Sequence, residues 1–189
     1  MKYSKIAFFF LVITLPIFSQ SWEEIKFKNI IKQSQDYSCG AASLATILTY
    51  YYNDSKSEKD ILEIIAKINN YNLKIKDKKY KYTMLDLKKV ANQYGYEAIG
   101  ISLSYTDLKK LKIPAIVFLK RNNKKHFSIY KGKKNNLIYL ADPTWGNVKW
   151  AEEKFKNRFL SFSVNNEKVG RILLITKKNK EINPDFFME

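Results

Sequence analysis

The chain has 189 residues, enough for one domain with a sizeable core and too few for two ordinary domains. Hydrophobic residues make up 46% of it and aromatic residues 15%, which argues against a disordered protein. The net charge of +16 comes almost entirely from lysine, because the chain has only three arginines, Arg121, Arg158 and Arg171. Arginine is the side chain that nucleic-acid readers favour, and no nucleic-acid motif is visible, so we expect no nucleic-acid partner.

Residues 1–21 have the pattern of a secretory signal peptide. Lys2 and Lys5 form a short basic region, residues 6–17 are an apolar run, and Ser19 and Ser21 supply small residues for cleavage. The alternative is a membrane anchor, but this run is well short of the roughly 20 residues that span a bilayer. We therefore expect cleavage after Ser19 or Ser21 and an exported protein, periplasmic or extracellular. Its basic surface would favour weak electrostatic association with an anionic envelope surface.

Cys39 is the single cysteine, so the chain can form no internal disulfide. Residues 41–51 after it are small or apolar and contain no proline, which predicts a helix that begins at or next to the cysteine and runs to about Tyr52. A thiol at a helix N-terminus lies among unpaired N–H groups at the positive end of the helix dipole, which favours the reactive thiolate. An intermolecular disulfide and an inert buried cysteine are the alternatives.

Two further helices follow in the sequence. Ser57 to Asp60 resembles a capping box before an isoleucine stripe, and Thr83 to Asp86 resembles another before a helix that ends at Gly95. Between them, residues 72–82 are rich in lysine and predict an exposed loop, either a solvated connector or a docking surface. Thr106 and Asp107 are expected to cap a short helix to about Lys112. Residues 22–31 show no clear period and predict a strand or an extended arm.

The second half of the chain has the pattern of an antiparallel sheet, with turn residues every 8–12 positions. We predict strands over residues 96–103, 113–119, 126–130, 137–142, 148–150, 159–164 and 171–176. Helices first and strands afterwards indicate an α+β fold, with an N-terminal helical layer packed on a C-terminal antiparallel β-sheet. One domain is expected over residues 22–177, followed by a polar tail over residues 178–189.

Three residue types needed for nucleophilic catalysis occupy matching ends of predicted elements. Cys39 opens a helix, His126, the single histidine, opens a strand, and Asp142 ends the next strand of the same hairpin. Pairing those strands antiparallel brings His126 and Asp142 close together, so that the carboxylate can orient the imidazole. Pro143 supports this placement because it favours an extended backbone at Asp142. One cysteine and one histidine cannot build a zinc site without several carboxylates at defined spacing, so we expect no metal and no cofactor.

Gln33, five intervening residues, Cys39-Gly40, and the later His126 and Asp142-Pro143 resemble the bacteriocin-processing peptidases. These are papain-like cysteine peptidases, best known as N-terminal domains of peptide-exporting ABC transporters, and they cleave leader peptides after a double glycine. The signal-peptide pattern and the lack of transporter sequence resemble the stand-alone, exported type. The resemblance implies that Cys39 is the nucleophile, His126 the general base and then acid, and Asp142 its orienting residue. It also implies that Gln33 donates to the oxyanion hole together with the backbone N–H of Cys39.

The sequence thus predicts an exported cysteine peptidase that cleaves a peptide or protein substrate. Two alternatives remain. One is a catalytically silent module that binds a peptide on the same fold. The other is an envelope-surface protein that acts through its lysines, with the thiol incidental.

Overall fold

An antiparallel β-sheet forms the centre of the computed structural model, which describes residues 21–71, 82–121 and 124–182. Its strands within those residues are β1 (Glu97–Leu103), β2 (Ala115–Arg121), β3 (Lys124–Lys134), β4 (Leu137–Asp142), β5 (Gly146–Ala151), β6 (Phe162–Val164) and β7 (Glu167–Thr176). The strand order is β1-β7-β2-β3-β4-β5, and β6 pairs with β7. All of these pairs are antiparallel, as the sequence predicted.

The helices are α1 (Trp22–Lys26), α2 (Cys39–Thr46), α3 (Glu58–Asn69), α4 (Met84–Gln93), α5 (Tyr105–Leu108) and α6 (Glu152–Phe159). A π-helical segment, Ile47–Tyr51, continues α2, so the predicted helix ends where expected. Both predicted capping boxes are present, at Ser57 with Asp60 and at Thr83 with Asp86. No helix within the described ranges is long and apolar enough to cross a membrane.

Each face of the sheet is covered by apolar side chains from a different set of helices. Helices α2, α3 and α4 bury Leu44, Ile61 and Leu87 on one face, whereas α5 and α6 bury Leu108 and Phe155 on the other. Strand β2 reads as a continuous apolar run because both of its faces are buried. The α+β prediction is confirmed, with a second, smaller helical layer on the far face of the sheet.

Four of the predicted elements differ from the structure. Residues 22–26 form α1 instead of a strand, because Ser21 and Glu24 make a capping box. Ser104, not Thr106, caps α5, which ends at Leu108. Residues 152–159 form the unpredicted helix α6, so the strand expected from residue 159 begins at Phe162. Strand β3 extends to Lys134 through a β-bulge after Tyr130, which leaves only Asn135 and Asn136 in the turn.

Three predictions fall wholly or partly outside the described residues. The parts outside are residues 1–20 of the predicted signal peptide, residues 72–81 of the lysine-rich loop and residues 183–189 of the polar tail.

The N-terminal arm, residues 21–33, lies against the loop that follows β4. The Asn147 side-chain amide donates to the Lys28 carbonyl at 2.9 Å, and the Gln33 N–H donates to the Pro143 carbonyl at 3.0 Å. Gly146 has a φ of +74°, and a Cβ there would lie 2.2 Å from the Lys26 carbonyl oxygen. Glycine at residue 146 therefore allows both the turn and the close approach of the arm.

We expect Gly146→Ala to destabilise the protein more than Gly95→Ala, and urea unfolding measures the difference. Gly95 has a similar φ of +77°, but a Cβ there meets no atom within 4 Å. Gly95→Ala should cost about 1–2 kcal/mol for the left-handed backbone alone, and Gly146→Ala about 1–3 kcal/mol more for displacing the arm. Equal losses for the two variants would show that the arm does not pack on Gly146.

Candidate active site

Cys39 is the first residue of α2, and every residue of that helix is buried. Small side chains such as Ala41, Ala42 and Ala45 let the helix pack closely into the core against β3. The helix start is also tied to distant segments of the chain. The Ala41 N–H donates to the Tyr82 hydroxyl at 2.9 Å, which satisfies one of the free donors of the first turn. The thiol is thus held at a fixed point on the edge of the helical layer.

The residue after the cysteine is Gly40, and its surroundings leave little room for a side chain. A Cβ at residue 40 would lie 2.9 Å from the rings of Phe127 and Tyr82 and 3.0 Å from Leu87. The first two distances are shorter than real Cβ contacts and the third is unusually tight, so a side chain at residue 40 would displace these neighbours or move α2 away from β3. Phe127 immediately follows His126. The contact between Gly40 and Phe127 therefore places the start of the helix beside the strand that carries the histidine.

Cys39 and β3 are in direct contact. The Phe127 N–H donates to the Cys39 Sγ at 3.4 Å, and the thiol residue is only 6% exposed. Cys39 is also close enough to the His126 ring to raise the pKa of the imidazole. The predicted meeting of the cysteine and the histidine is therefore present in the structure.

Asp142 holds the other side of the imidazole. Its Oδ2 lies 2.8 Å from His126 Nε2, and its side chain is fully buried. The second oxygen, Oδ1, accepts from the N–H groups of Thr144 at 2.9 Å and Trp145 at 3.1 Å. Within the hairpin, Ile129 lies opposite Ala141, so the histidine reaches the aspartate diagonally. Because Nε2 faces Asp142, Nδ1 is the nitrogen that remains for Cys39.

The environment of His126 raises its pKa from 6.5 to about 9. Burial acts in the opposite direction, but hydrogen bonds with Asp142 and Cys39 and the negative charge of both residues outweigh it. The imidazole is therefore protonated at neutral pH, with an anionic carboxylate on one side. A charged imidazole that contacts a thiol is an arrangement that can activate a cysteine.

Gln33 lies next to the Asp142 loop. Its side-chain Nε2 donates to the Gln35 carbonyl at 2.8 Å, and its Oε1 accepts from the Thr144 hydroxyl at 2.7 Å. An amide NH₂ has two hydrogens, and the bond to Gln35 uses one of them. The loop that leads from Gln33 to α2 is fixed as well, because the Ser34 N–H donates to the Glu58 carboxylate at 3.0 Å.

Several residues that support the site were not predicted from the sequence. Trp145 packs against the His126 ring, with 5.0 Å between the ring centroids, and covers the imidazole. Its position three residues after Asp142 is the one sequence feature that could have indicated a place near the site. Tyr82 and Glu58 reach the site from distant elements, and the sequence contains no local pattern that marks them. Burial and the negative charge of Cys39 raise the pKa of Tyr82, so its hydroxyl stays neutral.

Metal ligands do not cluster in the part of the chain that the structure describes. No group of three or more His, Cys, Asp or Glu side chains within those residues is arranged to hold an ion.

The fold is similar to solved peptidase domains of transporters. The fold is similar to the peptidase domain of Streptococcus ComA, a bifunctional ABC transporter, with a TM-score of 0.61 and 21% identity over 79% of this chain and 98% of that one. It is also similar to a double-glycine-motif protease of a transporter, solved with its leader peptide, with a TM-score of 0.58 and 30% identity over 78% of this chain and 90% of that one. The class is therefore a papain-like peptidase domain.

Residues 27–168 match the model of the Peptidase C39 family, and the chain belongs to that family of cysteine peptidases. A curated relative is the probable functional amyloid protease FapD of Pseudomonas aeruginosa, 31% identical over 137 residues. That match covers 72% of this chain and 59% of the relative, so the chain spans about three fifths of the relative's length. The predicted family resemblance is confirmed.

His126 is the single histidine, so its ring Hε1 proton gives one identifiable NMR signal in an untagged protein. We expect that signal to titrate with a pKa of about 9. Asp142→Asn and Cys39→Ser each remove one of the groups that raise the pKa, so each should move it down toward 6.5. A wild-type histidine that titrates near 6.5, or a pKa that neither substitution changes, would contradict the described contacts.

Proposed function

We propose that the protein hydrolyses peptide bonds with Cys39 as nucleophile, His126 as general base and acid, and Asp142 as the residue that orients His126. The observation that carries this proposal is the continuous contact from the buried Asp142 carboxylate through the His126 ring to the Cys39 thiol. A buried carboxylate bonded to Nε2 fixes the imidazole orientation and stabilises its protonated form. These are the two properties that a cysteine nucleophile requires from its base.

The proposed reaction has two halves. The Cys39 thiolate attacks the carbonyl carbon of the scissile peptide, and the His126 imidazolium gives its proton to the leaving amine as the C–N bond breaks. This leaves a thioester between Cys39 and the N-terminal part of the substrate. His126, now neutral, takes a proton from a water molecule, which attacks the thioester. The C–S bond breaks, which releases a carboxylic acid, and Cys39 returns as a thiolate beside the protonated His126.

The carbonyl oxygen becomes negatively charged in each half of the reaction, and we propose two donors for it. The first is the backbone N–H of Cys39, which at the start of α2 lies among the donors that no helix carbonyl can satisfy. The second is the remaining N–H of the Gln33 side chain. Donors that are fixed before the reaction stabilise this charge, and losing one typically slows catalysis by roughly 10²–10³-fold.

The substrate that we propose is a peptide or protein of the cell envelope. Two similar proteins support a peptide substrate: a transporter protease solved with a leader peptide, and a relative named as a functional amyloid protease. We propose export because residues 1–21 have a signal-peptide pattern. The basic chain, with Trp22 77% exposed and Ile25 52% exposed on α1, would also associate weakly with anionic envelope surfaces.

Export predicts that protein recovered from the periplasm or the medium lacks residues 1–19 or 1–21, and intact-mass measurement decides between these ends. An uncut chain that stays inside the cell would contradict export. A wash in high salt should release the envelope-bound fraction, because added ions screen electrostatic association. Binding that salt does not change would contradict the electrostatic contact.

We expect the purified protein to cleave members of a defined peptide library, with products detected by mass spectrometry. Cys39→Ala should abolish cleavage and Gln33→Ala should slow it by roughly 10²–10³-fold. His126→Ala should reduce it to about the level of Cys39→Ala, since the two residues act as a unit. Peptides that bind to the wild type and to Cys39→Ala without turnover would instead support the silent peptide-binding module.

A further inference from the structure

Thr144 connects two parts of the site that are far apart in the sequence. Its backbone N–H donates to Asp142 Oδ1 at 2.9 Å, and its hydroxyl donates to Gln33 Oε1 at 2.7 Å. One residue therefore contacts both the carboxylate that orients the histidine and the amide that we assign to the oxyanion hole. The Gln33 N–H also donates to the Pro143 carbonyl, so the two segments are joined through backbone as well.

The partners of Gln33 determine which end of its amide points where. The Gln35 carbonyl can only accept, so the NH₂ group must face it, and the hydrogen bond is 2.8 Å long. The amide oxygen therefore faces Thr144, whose hydroxyl must be the donor. The Gln35 carbonyl is itself fixed, because it accepts from the Ser38 hydroxyl at 2.8 Å. The two bonds together hold the amide plane and direct its second N–H.

Thr144 is exposed at the surface of the loop, so its hydroxyl is not needed to fill the core. Without this hydroxyl, the Gln33 oxygen would bond to water and the amide would rotate about its last torsion, which has a broad energy profile. A donor that rotates is no longer preset for the developing oxyanion, and part of its stabilising effect is lost.

We infer that Thr144 is a positioning residue that orients the Gln33 side chain for transition-state stabilisation. This inference rests on the proposed function, in which Gln33 donates to the oxyanion. Thr144 acts through the hydrogen bonds that it makes with Gln33 and Asp142. Its backbone N–H to Asp142 survives any side-chain substitution, so the effect of removing the hydroxyl should pass through Gln33 and leave the His126–Asp142 pair unchanged.

Two reagents that react with Cys39 separate oxyanion stabilisation from thiol reactivity. Iodoacetamide is attacked at a saturated carbon, iodide leaves, and no oxyanion forms. p-Nitrophenyl acetate is attacked at its carbonyl carbon, so an oxyanion forms before the C–O bond breaks, p-nitrophenolate leaves and an acetyl thioester remains on Cys39. The rate of p-nitrophenolate release therefore depends on Gln33, whereas the alkylation rate does not.

We expect Thr144→Val, which replaces the hydroxyl with a methyl group, to slow acylation by about three- to tenfold, the value of one neutral hydrogen bond. Alkylation should change by less than about twofold, because the thiolate and His126 are unaffected. Thr144→Ser keeps the hydroxyl and should acylate close to the wild-type rate. Thr106→Val is the matched control: the same substitution at an exposed threonine on α5, on the far face of the sheet.

A double-mutant cycle tests whether Thr144 acts through Gln33. In a Gln33→Ala background, Thr144→Val should cause no further loss of acylation, because the group it orients is absent. Additive losses would overturn the inference, and so would wild-type acylation by Thr144→Val. An equal fall in acylation and alkylation would also overturn it, since that result indicates general disruption of the site.

The failure of the proposed function gives a different result. If Cys39→Ala releases p-nitrophenolate as fast as the wild type, Cys39 is not the nucleophile, and NMR of the Gln33 side-chain NH₂ decides the positioning role. Its signals, assigned by their loss in Gln33→Ala, should exchange faster with water in Thr144→Val than in Thr144→Ser. Equal exchange in the two variants would overturn the inference without any measurement of activity.

Discussion

The imidazole of His126 is held between groups that come from different layers of the fold, and the site depends on that arrangement. Asp142 reaches it from the adjacent strand at 2.8 Å, and Cys39 reaches it from the start of a helix on the sheet face. Neither layer forms the site without the other. The close approach of the two layers at Gly40 and Phe127 is therefore the packing contact on which the chemistry rests.

The burial of His126 and its partners affects the pKa of the imidazole. A buried histidine without partners would lose its proton more easily than a free one, because burial disfavours charge. Here the fully buried carboxylate and the thiol reverse that effect and hold the proton on the ring. Trp145 covers the ring on the loop side, and the N–H groups of residues 144 and 145 fix the carboxylate. Asp142 and the short loop after β4 thus help to set the charge, the orientation and the exposure of the His126 imidazole.

The N-terminal arm, residues 21–33, is also in contact with the loop that follows β4. It packs on Gly146 and bonds to Asn147 and Pro143, and it ends at Gln33, where the oxyanion donor is proposed. The chain therefore passes along one side of the loop that follows β4 before it enters α2. Three segments, residues 21–33, the start of α2 and residues 142–147, are held together by short-range contacts, although more than 100 residues separate the first from the last.

Local patterns in the sequence were enough to predict the elements that carry the site. Two capping boxes, the helix start at Cys39 and the strand end at Asp142 all depend on neighbouring residues, and all of them are present in the structure. Strand β3 begins at Lys124, two residues before the predicted start at His126. The same holds for the antiparallel sheet, which turn residues marked. Helix α6 was not predicted, although Phe155 and Phe159 have helical spacing.

The contacts that complete the site have no such local signal. Tyr82 lies 41 positions from Ala41, whose N–H it accepts, and Thr144 lies 111 positions from Gln33. The bulge after Tyr130, which shifts the hairpin register, was also not predicted. Sequence patterns therefore predicted which groups lie together at the site, and the tertiary structure determined how those groups are oriented.

The central claim is that His126, held by Asp142, contacts the Cys39 thiol and makes it reactive. The most direct test is the rate of Cys39 alkylation by iodoacetamide at about pH 7, in the wild type and in His126→Ala. The account predicts that the wild type is alkylated faster than His126→Ala, because the imidazole takes up the thiol proton. Equal alkylation rates in the two proteins would contradict the account.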